Sequence, residues 1–282
     1  MGMTLVILCV VILGVLRRVG GPEFLGALFP QPTINIKVPE DRFYLPANGT
    51  GTIYHLDYYS FSYSEKFEQA EWVAYILERT QLDMPNVKRT DNFRADLDIS
   101  TRSADPNDYR GSGYDRGHLV PAADMAFGVE AMSTTFLMSN ISPQVHTFNG
   151  GIWRELEELT RGWAKYFKRL YVVSGPILTE APIEYIGRNK VAVPSAFFKV
   201  LLDIDEPEQK GIAFLIPNAK SDAPLQDYML SIDSLESITG FDFYPDLLED
   251  QVEEKLESEF NPDLWKTNDK KYHLRVEKWN NQ

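Results

Sequence analysis

Cysteine is almost missing from this 282-residue chain: Cys9 is the single one, and it lies in an apolar stretch near the N-terminus. The rest of the chain can form no disulfide and no thiolate metal site, so its stability must come from a packed core. Histidine is also sparse. His55, His118, His146 and His273 are scattered, with no HExxH pair, which argues against zinc. A G-x-S-x-G elbow, a phosphate-binding P-loop and a Rossmann glycine fingerprint are all lacking, which removes the serine-hydrolase, nucleotide-loop and dinucleotide readings. Positive charge is short too: 28 Lys and Arg stand against 41 Asp and Glu, a net charge of -13. That balance argues against a protein whose main work is coating nucleic acid. No apolar run reaches membrane-spanning length. The longest, residues 4–16, would extend about 20 Å as a helix against a hydrocarbon core of about 30 Å.

What is there is a hydrophobic share of 44% and an aromatic share of 12%, enough for one large domain or two small ones. The acidity is uneven. Residues 233–259 hold ten acids and one base, whereas residues 88–118 hold six of each. The run TLVILCVVILGVL (4–16) has the length of a signal-peptide core. No basic residue precedes it and Arg17–Arg18 follow it, an order that suits a signal anchor with the domain on the cytoplasmic or matrix side. An acid-free first 22 residues also admits a mitochondrial presequence.

Residues 30–52 read as a Pro- and Gly-rich arm, and 53–61 as an aromatic strand. Residues 64–80 place Phe67, Ala70, Val73, Ala74 and Leu77 at helical spacing, which predicts a helix capped by Ser64. An irregular stretch over 83–113 follows. A second helix is expected over 152–168, strands over 171–177, 191–204 and 211–218, and a helix over 231–239 stopped by Gly240. The acidic stretch 246–259 reads as a helix. Strands and helices without a βαβ rhythm indicate an α+β fold.

The chemistry concentrates in GYDRGHLVPAADM (113–125). A neutral histidine, His118, can take a proton from water. Arg116 offers a planar fork for phosphate. Gly117 permits a close backbone approach or an unusual φ. Downstream, MSNISPQVHTFNGGIWRELE (138–157) supplies Asn149 just before a helix, as a neutral oxygen ligand for Mg²⁺, and Glu157 on that helix to orient the ion's waters. Taken singly, each also has a plain structural reading: Asn149 as a helix cap, Glu157 as a solvated helix residue, and Asp115 as a brace for the arginine or the loop.

Together the two segments resemble the DNA/RNA non-specific endonucleases, over roughly residues 60–245. DRGHLVPAADM is similar to the family's DRGH segment, and SNISPQVHTFNGGIWRELE to its asparagine–tryptophan–glutamate segment. The resemblance implies a ββα-metal (His-Me finger) nuclease with a central, mainly antiparallel sheet flanked by helices. It implies His118 as general base, Asn149 as the direct metal ligand, Arg116 on phosphate, and Glu157 and Asn140 in support. An upstream arginine is also implied, with Arg89 as the candidate and Arg94 in reserve. The implied cofactor is Mg²⁺, with Mn²⁺ as a substitute. The implied partners are DNA and RNA, with a homodimer and membrane association through residues 4–16 also admitted. On this reading residues 1–30 are a signal or anchor with its linker, 31–245 the nuclease domain and 246–282 an acidic extension. Location is expected to be exported or membrane-anchored, facing the periplasm or exterior, with mitochondria as the alternative. Two other functions remain open: a phosphodiesterase for nucleotides or short oligonucleotides, and an inactive nuclease fold used for binding. The acidic stretch is either a solvated helix or a mimic of nucleic acid lying over the arginines.

Overall fold

The computed structural model describes residues 44–178 and 184–282. The apolar run 4–16, read as a signal or anchor, lies outside them. Among the described residues no helix is long and apolar enough to cross a membrane.

The first strands are β1 (Thr52–His55), β2 (Ser60–Ser64) and β3 (Gln69–Glu78), followed by the single-turn helix α1 (Arg79–Leu82). An irregular stretch leads to β4 (Asp115–His118), the short helix α2 (Val129–Thr134), β5 (Ile141–Gln144) and α3 (Arg154–Phe167). Then come β6 (Arg169–Pro176), β7 (Tyr185–Ile186), β8 (Val191–Ala192), β9 (Ala196–Asp203), β10 (Lys210–Pro217) and β11 (Met229–Leu230). The chain closes with α4 (Ile232–Thr239), α5 (Asp250–Ser258) and α6 (Asp269–Glu277). Seven strands form one sheet in the order β1-β2-β3-β6-β9-β10-β11, every neighbour antiparallel. β4 and β5 pair separately.

The helix expected over 64–80 is a correction. Ser64 ends β2 and caps no helix, and residues 69–78 are the strand β3. Two physical features disguised it. A register shift opposite Ser62 and Tyr63 breaks the alternation, so Ala70 and Val73 fall three apart yet share one face. Beyond the bulge both faces of β3 are buried, with Val73, Tyr75 and Leu77 in one apolar cluster and Trp72 and Ala74 in the other. A strand buried on both sides shows no polar alternation. The aromatic and β-branched content of WVAYI was the better cue.

The sheet thus divides two apolar layers. On one face Leu156, Leu159 and Trp163 of α3 pack with Phe197, Leu201, Ile212 and Phe214. On the other, Ile232 and Leu235 of α4 and Leu256 of α5 pack with Val173, Val200 and Leu202. α4 follows its signals: the Ser231 hydroxyl accepts from the Ser234 amide, and Gly240 closes the helix at φ 75°. The acidic helix α5 therefore lies on the face away from α3, and the idea of a mimic lying over the arginines does not match its position. After α5 the chain returns to the first face. Trp265 meets the Trp163 ring edge-on at 5.4 Å, and Arg275 of α6 pairs with Glu155 of α3 at 2.6 Å with both side chains fully enclosed.

Candidate active site

The β4–β5 hairpin-like pair and α3 make a ββα unit on the first face. Register sets Asp115 opposite Gln144 and His118 opposite Ile141. Alternation along β4 then turns Arg116 and His118 to one side, Asp115 and Gly117 to the other. The two sides have different neighbours. Gly117 needs no left-handed backbone. It is glycine because a Cβ there would sit 2.1 Å from Cδ of Gln144.

His118 is buried in an aromatic slot. Its ring meets Phe136 edge-on at 5.0 Å and Phe93 at 5.5 Å. Its Nε2 is enclosed and has no hydrogen-bond partner. Burial first, then the Arg89 and Arg116 guanidiniums, push its pKa down to about 3, with Asp91 opposing. The imidazole is therefore neutral at physiological pH. The two arginines stand on the walls of the slot: Arg116 lies 4.2 Å above the Phe93 ring and Arg89 4.9 Å above the Phe136 ring. Arg89 also pairs with Asp91 at 2.6 Å, half exposed. Arg94 is spent elsewhere, donating to the carbonyls of Asn92 and Ser133. Of the two upstream candidates, Arg89 is the one brought to the histidine.

On the opposite side of β4, Asp115 accepts from Asn149 Nδ2 at 2.9 Å and bonds His146 Nδ1 at 2.8 Å through the same oxygen. The expected brace exists, but it holds Asn149 and His146, not the arginine. Asn149 sits in a π-helical turn, Phe148–Trp153, just ahead of α3. Its placement depends on the chain's break at Gly151, whose φ and ψ are -102° and -112°. Donation by the nitrogen fixes the orientation of the amide and leaves Oδ1 for another partner. Asn149 shares the wall of a cavity of about 440 Å³ with Asp115, Arg116, Phe93, Tyr109 and Arg110. Asn140 is a clasp. Its side chain binds both the N–H and the C=O of Val120 and the C=O of Thr135, pinning the chain that leaves His118.

Glu157 stands on the first turn of α3, partly exposed, with Arg161, Lys199, Asp124 and Arg89 around it. Burial pushes its carboxyl up to about 7 against the pull of Arg161 and Lys199. Behind it, Asp124 accepts from Arg161 at 2.7 Å and from the Tyr75 hydroxyl at 2.7 Å. Phe93, Phe136 and His146 were not singled out in the sequence. The aromatic pair lies 25 and 18 residues from His118 on opposite sides in the chain, and no short motif signals it.

The oxygen chemistry suits a hard divalent cation. A neutral amide oxygen aimed away from its brace, next to the Asp115 carboxylate on a cavity wall, is a site that leaves room for waters.

A β-hairpin pair delivering a histidine, followed by a helix whose leading turn carries an asparagine, defines the ββα-metal nuclease class. A family model for DNA/RNA non-specific endonucleases matches residues 41–250, and the chain belongs to that family. Human mitochondrial Endonuclease G is 36% identical over 203 residues, covering 67% of this chain and 68% of that one. A nuclease from a Nostoc strain is 34% identical over 215 residues, covering 71% and 77%. The mitochondrial nuclease EXOG of Xenopus laevis is 33% identical over 232 residues, covering 76% of this chain but 64% of the relative. A crystal structure of an EndoG/EndoGI complex, described as showing the mechanism of EndoG inhibition, superposes with a TM-score of 0.66 at 29% identity, over 71% of this chain and 88% of that one.

Proposed function

We propose that the chain is an endonuclease that hydrolyses phosphodiester bonds in DNA and RNA with little sequence preference and depends on a divalent cation, Mg²⁺ with Mn²⁺ as substitute. The observation that carries this reading is the arrangement of β4. One side presents a neutral, unpartnered imidazole between two arginines, and the other fixes an asparagine amide on the wall of the adjoining cavity.

Asn149 Oδ1 would hold the cation, with Asp115 fixing the amide and Glu157 of α3 orienting the ion's waters. When bound, the cation supplies positive charge to the leaving oxygen. Arg116 and Arg89 bind the non-bridging phosphate oxygens. They leave the Phe93 and Phe136 rings to do so, which opens the way to the imidazole. His118 Nε2, already neutral, takes the proton from the attacking water. The substrate itself strengthens this base. Phosphate charge offsets the two guanidiniums whose field depresses the histidine, so basicity rises once substrate is in place. Water excluded by the aromatic walls strengthens each of these interactions.

The mitochondrial names of two relatives favour the mitochondrial reading of the N-terminal segment over export. Supercoiled plasmid and single-stranded RNA, each with Mg²⁺ or EDTA, test the activity. We expect both to be cut only with metal, and His118→Ala to lose at least about 10³-fold in rate, within the range for a lost proton-transfer group. Intact substrates under all metal conditions would refute the reading.

A further inference from the structure

The acids of α4 and α5 gather on the far face of the sheet. Asp233 and Glu236 lie one turn apart on α4, and Glu253 and Glu257 one turn apart on α5, so each helix turns a pair of carboxylates to the same side. One oxygen each from Asp233, Glu236 and Glu257 lie within 4.8 Å of one another. That spread lets all three reach one ion at the calcium–oxygen distance of about 2.3–2.6 Å. Exposed acids gather on many proteins without a ligand, but Glu257 is not exposed. It is only 7% accessible, and its Oε1 has no hydrogen-bond partner. A second enclosed oxygen without a partner, Oε1 of Glu253, adjoins it.

The groups facing Glu257 are themselves acids: Glu236, Glu253, Asp233 and Asp242. Lys255 lies on the same helix but its ammonium is 3.8 Å from the exposed Glu259. An ionised acid enclosed among acids is costly unless it takes up a proton or a cation joins it. Mg²⁺ suits this group poorly, because it demands a tight octahedron at about 2.0–2.1 Å, whereas Ca²⁺ accepts six to eight oxygens in flexible geometry.

We propose that Asp233, Glu236 and Glu257 form a Ca²⁺ site, separate from the nuclease centre, that fastens α5 to the domain. The site is assigned on chemistry and is independent of the proposed catalysis. Waters complete the coordination.

Thermal unfolding of the full-length chain, freed of metal and then given Ca²⁺ or Mg²⁺, tests this. At a hundredfold excess over the dissociation constant, Ca²⁺ should raise the melting temperature by at least about 5 °C. The rise should persist in Asn149→Ala, which weakens the nuclease-centre ligand, and exceed that from Mg²⁺. It should vanish in Glu257→Gln and in the more exposed Asp233→Asn. Should Glu257→Gln fail to fold, Asp233→Asn and calorimetric stoichiometry of one Ca²⁺ for Asn149→Ala decide the matter. No Ca²⁺ response in the parent chain would overturn the site. So would a response lost in Asn149→Ala but kept in Asp233→Asn, and a rise from Mg²⁺ equal to that from Ca²⁺ would overturn the calcium assignment.

Discussion

Asp115→Asn separates bracing from catalysis. Asp115 accepts from Asn149 Nδ2 at 2.9 Å and bonds His146 Nδ1 at 2.8 Å, both through one carboxylate oxygen. Hydrogen bonds to a charged group contribute about 1.5–3 kcal/mol each. In the variant the carboxamide is uncharged and can turn either its oxygen or its nitrogen to Asn149. Asn149 then loses the contact that dictates which end of its amide faces the cavity. If the amide must be held against about 1.4–2.7 kcal/mol of lost orientation, cation affinity falls about 10- to 100-fold, the usual effect of removing a group that orients a metal ligand. The assay is plasmid cleavage against Mg²⁺ concentration. The half-saturating Mg²⁺ should rise by that factor, while the rate at saturating Mg²⁺ stays within about threefold of the parent, since neither His118 nor the arginines move. His146→Gln, which removes one contact of Asp115 but leaves the Asn149 bond, should shift the midpoint by less than tenfold. A loss of saturated rate in Asp115→Asn with an unchanged Mg²⁺ midpoint would refute the bracing role and assign Asp115 to the reaction itself.

Three further outcomes follow from the packing. In the unfolded chain His118 takes up its proton near pH 6.5, and in the folded one near 3, so between those values the unfolded state binds one more proton. Stability therefore falls as pH drops through this window, by up to about 1.4 kcal/mol per pH unit from this residue. His118→Phe, compared with the parent by urea unfolding at pH 6.5 and 4.5, should show the smaller loss. The raised carboxyl of Glu157 has the opposite slope and is common to both chains. Gly117→Ala should cost about 1–3 kcal/mol and impair cleavage, because its Cβ meets the buried Gln144 side chain at 2.1 Å; denaturant midpoints unchanged from the parent would refute the close approach. Arg275→Ala should destabilise by about 3–5 kcal/mol, since it leaves Glu155 charged and enclosed. A shift below about 1 kcal/mol would mean that α6 contributes little to the domain.

The legible parts of the fold are those whose signals are local. α4 announces itself by Ser231 and Gly240, and α3 by an apolar stripe that needs no partner to be recognised. β3 was misread because its evidence is not local. The strand becomes recognisable only once β2, whose register shift produces the three-residue spacing, and the layer of α4 and α5, which buries the second face, are both in place. A periodicity rule applied to one segment cannot see either neighbour. The C-terminal segment is the same case. Its acids suggest a solvated extension, but Trp265, Leu256 and Arg275 carry it around the sheet and each finds its partner more than 30 residues away.

At the candidate site, the residues proposed to act are readable in the sequence and those that set their environment are not. His118, Arg116 and Asn149 lie within two short segments, and each bears a side chain whose chemistry is plain from its type. The pKa of His118 is set instead by the enclosing rings of Phe93 and Phe136 and by Arg89, and Arg89 reaches the imidazole by stacking on Phe136. Roles follow from residue type, but strengths follow from enclosure, and enclosure is a property of the fold. The charge balance shows the same division. A chain at -13 can act on a polyanion because the acids of α5 are turned to the face of the sheet opposite α3. The sheet and its two apolar layers separate that charge from the guanidiniums by more than a Debye length, about 8 Å at physiological salt, given the roughly 10 Å spacing of packed layers on each side. Long-range repulsion of the substrate is therefore screened at the site, and the local field there is set by Arg89 and Arg116.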